Sequence, residues 1–187
     1  MNRYFLILFI ALGLIVLLLV LVSGGGGKKS QMHPVVPLTS LANTNAQVQM
    51  SISGPIVAPQ NHTGIVITGS QYSATYDQLQ GFEGTVVSTS TTPNTENSYK
   101  AFLASLSRAG YTRGNTDPNL ANEAGYCPTG NRYVFKLIQD GNTEQRFWIT
   151  NCVSTPRTYL GNFPLTLNLF EAQIPNFNQL NRNSGVF

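Results

Sequence analysis

Nineteen consecutive residues, Tyr4 to Val22, form an apolar run without a single charge. A helix rises ~1.5 Å per residue, so a run of this length matches a hydrocarbon core ~30 Å thick. A secretory signal peptide has a shorter apolar core, roughly 7–15 residues, followed by a small-residue cleavage site. The length and the Leu/Ile/Val/Phe content therefore predict an uncleaved signal-anchor over residues 4–23, with residues 1–3 as a short flank. The small residues of Val22-Ser23-Gly24 keep cleavage as the alternative. No Cys lies near this point, which excludes a lipid-modified Cys anchor, and no Glu lies inside the run, which argues against a type IV pilin helix.

Charge decides orientation only weakly. Arg3 precedes the run and Lys28 and Lys29 follow it, close to a tie in positive-inside counting. The three-residue flank and a cysteine pair suited to oxidation place the C-terminal part outside the cytoplasmic membrane, in a single-pass protein. The lipid bilayer is then the partner of residues 4–23, with Lys28 and Lys29 at headgroup level.

The formal charge of +3 belongs to Arg3, Lys28 and Lys29 alone. The remaining eight Lys/Arg and eight Asp/Glu give a net of zero. Bulk charge offers no basic face, so nucleic acid is disfavoured as a partner. Asn, Gln, Ser and Thr supply the polarity instead, and charged residues are 10% of the chain.

Gly24 to Gly27 reads as a flexible tether, and the Pro-containing stretch to Asn45 as an extended spacer. An extracytoplasmic domain is expected over 46–177 and a polar, frayed tail over 178–187. Val48, Met50 and Ile52 alternate with polar residues, the period of a half-buried strand. Gly64 to Thr68 and Thr85 to Ser88 read as further strands. Ser73 to Gln80 is ambiguous between strand and turn.

Tyr99, Phe102, Leu103 and Leu106 fall at i, i+3, i+4 and i+7, predicting a helix from about Glu96 to Ala109. Asn94 or Thr95 would cap its start and Gly110 its end. A second, short helix is expected from Pro164 to Gln173, with Leu165, Leu169 and Ala172 toward the core and Pro175 as its stop. The fold class that follows is α+β: an antiparallel sheet of four to five strands with two packed helices, preceded by a single transmembrane helix.

Arg132 to Gln139 and Thr143 to Cys152 flank Asp140-Gly141, a strong hairpin signal. If Gln139 faces Asn142, opposed residues sum to 281, and Cys127 with Cys152 falls within a residue or two of that register. A disulfide is therefore expected, closing a loop of about 25 residues and contributing roughly 3–4 kcal/mol. The alternative is a pair of reduced, buried thiols. No Cys-x-x-Cys supports redox catalysis, and two Cys with two distant His give no metal-ligand spacing. No cofactor motif is present.

Several stretches occur together in order: Gly54-Pro55-Ile56-Val57-Ala58, Gly81-Phe82-Glu83-Gly84, Ser98-Tyr99-Lys100-Ala101-Phe102, Tyr126-Cys127-Pro128-Thr129-Gly130-Asn131-Arg132-Tyr133, and Leu169-Phe170-Glu171-Ala172-Gln173-Ile174-Pro175-Asn176-Phe177. This order resembles a family of short, N-terminally membrane-anchored envelope proteins of reduced-genome bacteria, over about Val48 to Phe177. The resemblance implies location and a shared fold, and it brings no active-site residues.

Catalytic chemistry has few candidates. Of the two His, His33 lies in the spacer and His62 in a Pro/Asn-rich loop, where solvation is the default. No nucleophile-elbow motif accompanies His62. Asn61-His62-Thr63 is also a glycosylation sequon, relevant only in a host that modifies such sites. Glu83, Asp117, Glu123 and Glu171 are the acids from which a carboxylate pair would have to be drawn.

The aromatics are the better lead. Tyr72, Tyr76, Phe82, Tyr126 and Trp148 are candidate binding rings, beside Tyr111, Tyr133 and Phe147, because rings supply contact area and a polar handle. The competing reading makes most of them core and cross-strand pairs. The expected function is a non-catalytic binding or structural module of the cell envelope, with an envelope protein or glycan as partner. The alternatives are an envelope hydrolase using acidic residues and an accessory subunit of a surface filament or secretion complex.

Overall fold

Strand alternation and one strong helical stripe organise the chain around a single sheet. The structure, a computed structural model, describes residues 37–182 and Ser184. The expected anchor over 4–23 lies outside the described residues. Among the described residues no helix is long and apolar enough to cross a membrane.

Six strands form among the described residues: β1 (Gln47–Ser53), β2 (Thr63–Gly69), β3 (Ser73–Gln80), β4 (Thr85–Pro93), β5 (Arg132–Gln139) and β6 (Asn142–Thr150). They make one sheet in the order β4-β3-β2-β1-β5-β6, and every neighbouring pair is antiparallel. The expected count of four to five strands is thus corrected to six. The extra strand is the ambiguous stretch 73–80, whose apolar signal is weak because only Ala74 and Tyr76 are buried. Its place is set by pairing with both β2 and β4.

Three α-helices among the described residues complete the α+β fold: α1 (Glu96–Ala109), α2 (Phe163–Glu171) and α3 (Phe177–Arg182). In α1 the Thr95 side chain accepts from the Ser98 amide and Gly110 closes the helix at φ 76°. That left-handed backbone is open to Gly without the Cβ penalty. In α2, Asn162 is the N-cap and Pro164 occupies the first turn. Its buried face is Thr166 and Phe170, while Leu165 is exposed, so the expected Leu165/Leu169/Ala172 stripe is rotated. The expected frayed tail begins as α3, which buries Phe177.

The chain also joins the fold before position 45. Leu38–Leu41 form a 3-10 turn packed against α1, and Leu38 and Ala42 are buried.

One face of the sheet carries the main core. Val48, Met50 and Ile52 of β1, Ile65 and Ile67 of β2, Tyr76 of β3, Tyr133 and Phe135 of β5 and Phe147 of β6 meet Tyr99, Phe102, Leu103 and Leu106 of α1 and Phe170 of α2. Phe135 sits at the centre, with ring centroids 4.4 Å from Tyr159 and 6.0 Å from Tyr111. Two of the buried tyrosine hydroxyls tie the helix side to the strands. Tyr99 Oη donates to the Ala46 carbonyl at 2.9 Å. Tyr111 Oη accepts from the Gln49 amide at 3.2 Å and donates to the Lys136 carbonyl at 2.6 Å, bridging β1 and β5.

The hairpin turns at Asp140 and Gly141, with φ of 50° and 83°, as the two positive-φ residues of a type I′ turn require. Gln139 faces Asn142 as expected. A bulge between Leu137 and Ile138 then shifts the register, so that Arg132 pairs with Thr150. Beyond the open end, Cys127 and Cys152 form a disulfide with a Cα–Cα distance of 5.6 Å.

Candidate functional site

Among the described residues no α-helix packs on the second face of the sheet. Strand parity gives it Ser51 and Ser53 from β1, Gly64 and Val66 from β2, Asp77 and Leu79 from β3, Arg132 and Val134 from β5, and Trp148 from β6. The long loop after α1 covers its β5–β6 half. Trp148 Nε1 donates to the Leu120 carbonyl at 2.7 Å, and Tyr126 stacks on Trp148 with centroids 5.0 Å apart. Arg146 donates to the Ala121 carbonyl at 2.8 Å and forms an ion pair with Glu123.

The cover stops at Glu123. Between it and the Gly81–Gly84 turn lies a cleft of ≈ 160 Å³. Its floor is Ser51, Gly64, Val66 and Val134, and its polar lining is Ser53, His62, Glu123 and Arg132, with Leu79 and Phe82 on the far wall. A shallower hollow of ≈ 600 Å³ lies between α2 and α3, bordering Arg182.

Three side chains of the cleft interlock. His62 follows a one-turn 3-10 segment, Pro59–Asn61, and is buried at 6% exposure. Its Nδ1 lies 2.9 Å from the Pro55 carbonyl, which can only accept, so Nδ1 carries the hydrogen. Nε2 is then the acceptor toward Ser53 Oγ, 3.2 Å away. Phe82 stacks on the imidazole with centroids 4.4 Å apart. Arg132 Nη2 donates to Ser53 Oγ at 3.0 Å and to the Gly54 carbonyl at 2.7 Å. Arg132 is 7% exposed, and its Nε has no hydrogen-bond partner among the described residues. Burial lowers its pKa, and the Glu123 carboxylate acts in the opposite direction.

His62 is therefore not the solvated loop residue that composition suggested. The stack with Phe82 and the two hydrogen bonds hold it against the sheet. Among the expected binding rings, Tyr72 is 72% exposed and Phe82 52% exposed. Tyr126 is half-buried on Trp148, whereas Tyr76 and Trp148 are core residues at 1% and 0% exposure. Tyr111, Tyr133 and Phe147 are buried in the main core. Of the five rings, Phe82 alone lines the cleft.

The four acids stand on four separate segments. Glu83 is in the turn before β4, Asp117 caps the 3-10 turn Pro118–Leu120, Glu123 pairs with Arg146, and Glu171 ends α2. Burial holds the Glu171 carboxyl above its usual range. Among the described residues no group of three His, Cys, Asp or Glu is placed to hold a metal ion.

Sequence reasoning singled out His62 and Glu123 but missed Ser53 and Arg132. Ser53 ends a strand on its polar parity, and Arg132 begins another. Only the β1–β5 pairing, Ser53 opposite Arg132, brings them together. No family model matches this chain, and neither the curated proteins nor the solved structures contain one similar to it.

Proposed function

We propose that this is a membrane-anchored, extracytoplasmic binding module of the cell envelope, and that the cleft on the second sheet face is its ligand site. The observation that carries the reading is the half-covered face itself. A buried Arg and His and a half-buried Ser line it beside an exposed ring, Phe82, in a hollow of the sheet. Recognition sites combine an apolar wall with a few convergent polar groups in this way. The apolar run Tyr4 to Val22 and the Cys127–Cys152 disulfide support the anchored, exported location. The resemblance to envelope proteins of reduced-genome bacteria points to the same place.

The test is site-specific photocrosslinking of the full chain in intact envelopes. A crosslinking residue at Phe82 is expected to capture a ligand or partner, and one at Lys100, exposed on α1, is expected to capture none. Equal capture at both positions, or capture at Lys100 alone, would overturn the cleft as the site.

A second reading has one specific observation in its favour. Ser53 donating to an imidazole whose other nitrogen is held by a carbonyl is the first half of an acyl-transfer site. The guanidinium donating to the same Oγ draws density from it, which favours recognition over attack. A fluorophosphonate probe that labels the wild type and spares Ser53→Ala would decide for catalysis. Neither the acid-pair hydrolase nor the filament subunit gains a comparable observation.

A further inference from the structure

We propose that the cleft is a carboxylate site with Arg132 as its anchor, an inference that rests on the binding-module reading and names the ligand chemistry. Arg132 is more than nine-tenths buried, and a buried charge is ordinarily paired with an opposite one. Its Nη2 hydrogens instead go to neutral oxygens, Ser53 Oγ and the Gly54 carbonyl. Its Nε–H has no acceptor among the described residues.

Charge accounting points the same way. Among the described residues Glu123 is the single carboxylate lining the cleft, and its ion pair is with Arg146. Two guanidinium groups thus share one carboxylate, and Arg132 has no carboxylate partner of its own. The next acid on this face, Asp77, accepts from Thr89 Oγ1 at 2.7 Å and does not line the cleft. A single guanidinium without its own carboxylate fits a monoanion. A dianionic phosphate would leave negative charge uncompensated beside Glu123.

Geometry favours a carboxylate among monoanions. Both Nη2 hydrogens are already donated, so a carboxylate oxygen would accept from the guanidinium donors that remain, Nε–H among them, and a charge-assisted hydrogen bond is about twice as strong as a neutral one. Ser53 Oγ and the His62 ring adjoin the guanidinium, and Val66, Leu79, Val134 and Phe82 offer apolar surface for the group that carries the carboxylate. A peptide C-terminus and an acidic sugar share this chemistry.

The test is calorimetric titration of the full-length chain in detergent micelles with four probes: N-acetyl-alanine, N-acetyl-alaninamide, glucuronate and glucose. At least one acid is expected to bind ~10-fold or more tightly than its neutral counterpart, as a charge-assisted bond implies. The tighter acid identifies the source, peptide or sugar. Arg132→Met is expected to lose ~10-fold or more, and Arg132→Lys most of that, because a lysine has no Nε–H donor at that place in the chain. Melting curves check that both variants fold, and if Arg132→Met does not, Arg132→Lys and the acid-against-neutral comparison decide. Equal binding of acid and neutral probes, undiminished binding by a folded variant, or no binding of either acid overturns the proposal. Neutral probes that bind in the cleft would remove the carboxylate while leaving the binding module standing.

Discussion

The two faces of the sheet are built from the same strands and do different work. The helix face is closed: Val48, Met50, Ile52, Ile65, Ile67 and Phe135 meet α1 and α2, and all six are essentially inaccessible. The loop face is only half covered, and where the loop ends, the strands present Ser53, Arg132 and Val66 to a cleft. Apolar area removed from water stabilises by roughly 25 cal/mol per Å², so the closed face supplies most of the folding free energy. The open face forgoes such burial and retains polar groups whose hydrogen bonding is incomplete, which is the condition for holding a ligand.

This contrast is broken most severely by substitutions on the closed side. Phe135→Ala removes the central ring and should cost about 3–5 kcal/mol in a urea unfolding experiment, whereas Phe82→Ala, at the half-exposed rim, should cost under about 0.5 kcal/mol. A comparable loss at both positions would mean that the rim is structural. Replacing Cys127 and Cys152 together by Ser should cost roughly 2–4 kcal/mol through loop-closure entropy over a separation of 25 residues. Free-thiol labelling of the chain under non-reducing conditions checks the premise, since two reactive cysteines would contradict an oxidised pair.

Smaller effects sharpen the picture. Thr95→Ala removes the N-cap of α1 and should cost about 1 kcal/mol on the closed face. Glu171 gives a pH signature. Its folded pKa is raised above the usual 4.5 by burial, so the folded state holds the proton more tightly than the unfolded one. Its contribution therefore favours the fold at low pH and is lost as pH rises through the folded pKa. Glu171→Gln should melt slightly higher than wild type at pH 7, with the gap closing below about pH 4.5. An unchanged gap across that range would show that burial does not act on this carboxyl.

The helix face was largely legible in the sequence. The Tyr99/Phe102/Leu103/Leu106 stripe, the caps Thr95 and Gly110, the alternation in β1 and the Asp140-Gly141 turn are all local signals, and each reads directly onto an element. The disulfide was legible because a hairpin register places its two halves near one another. What escaped is non-local. β3 was ambiguous because its partners, not its own hydrophobicity, make it a strand. The hairpin bulge at Leu137 shifts the register by one residue without a mark in the sequence. Above all, the pairing of β1 with β5 joins residues about 80 positions apart, Ser53 and Arg132, and no periodicity within either segment foretells it. For the same reason aromatic content misled: Tyr76 and Trp148 are as ring-rich a signal as Phe82, and only the fold separates core rings from the ring at the rim.

The division between a closed and an open face is tested most directly by methyl NMR of the full-length chain in micelles, titrated with N-acetyl-alanine and glucuronate. Shifts confined to Val66, Leu79 and Val134, with Leu103, Leu106 and Leu167 unmoved, are the expected result. Shifts centred on the leucines of the helix face, or none at the three cleft methyl-bearing residues, would contradict it.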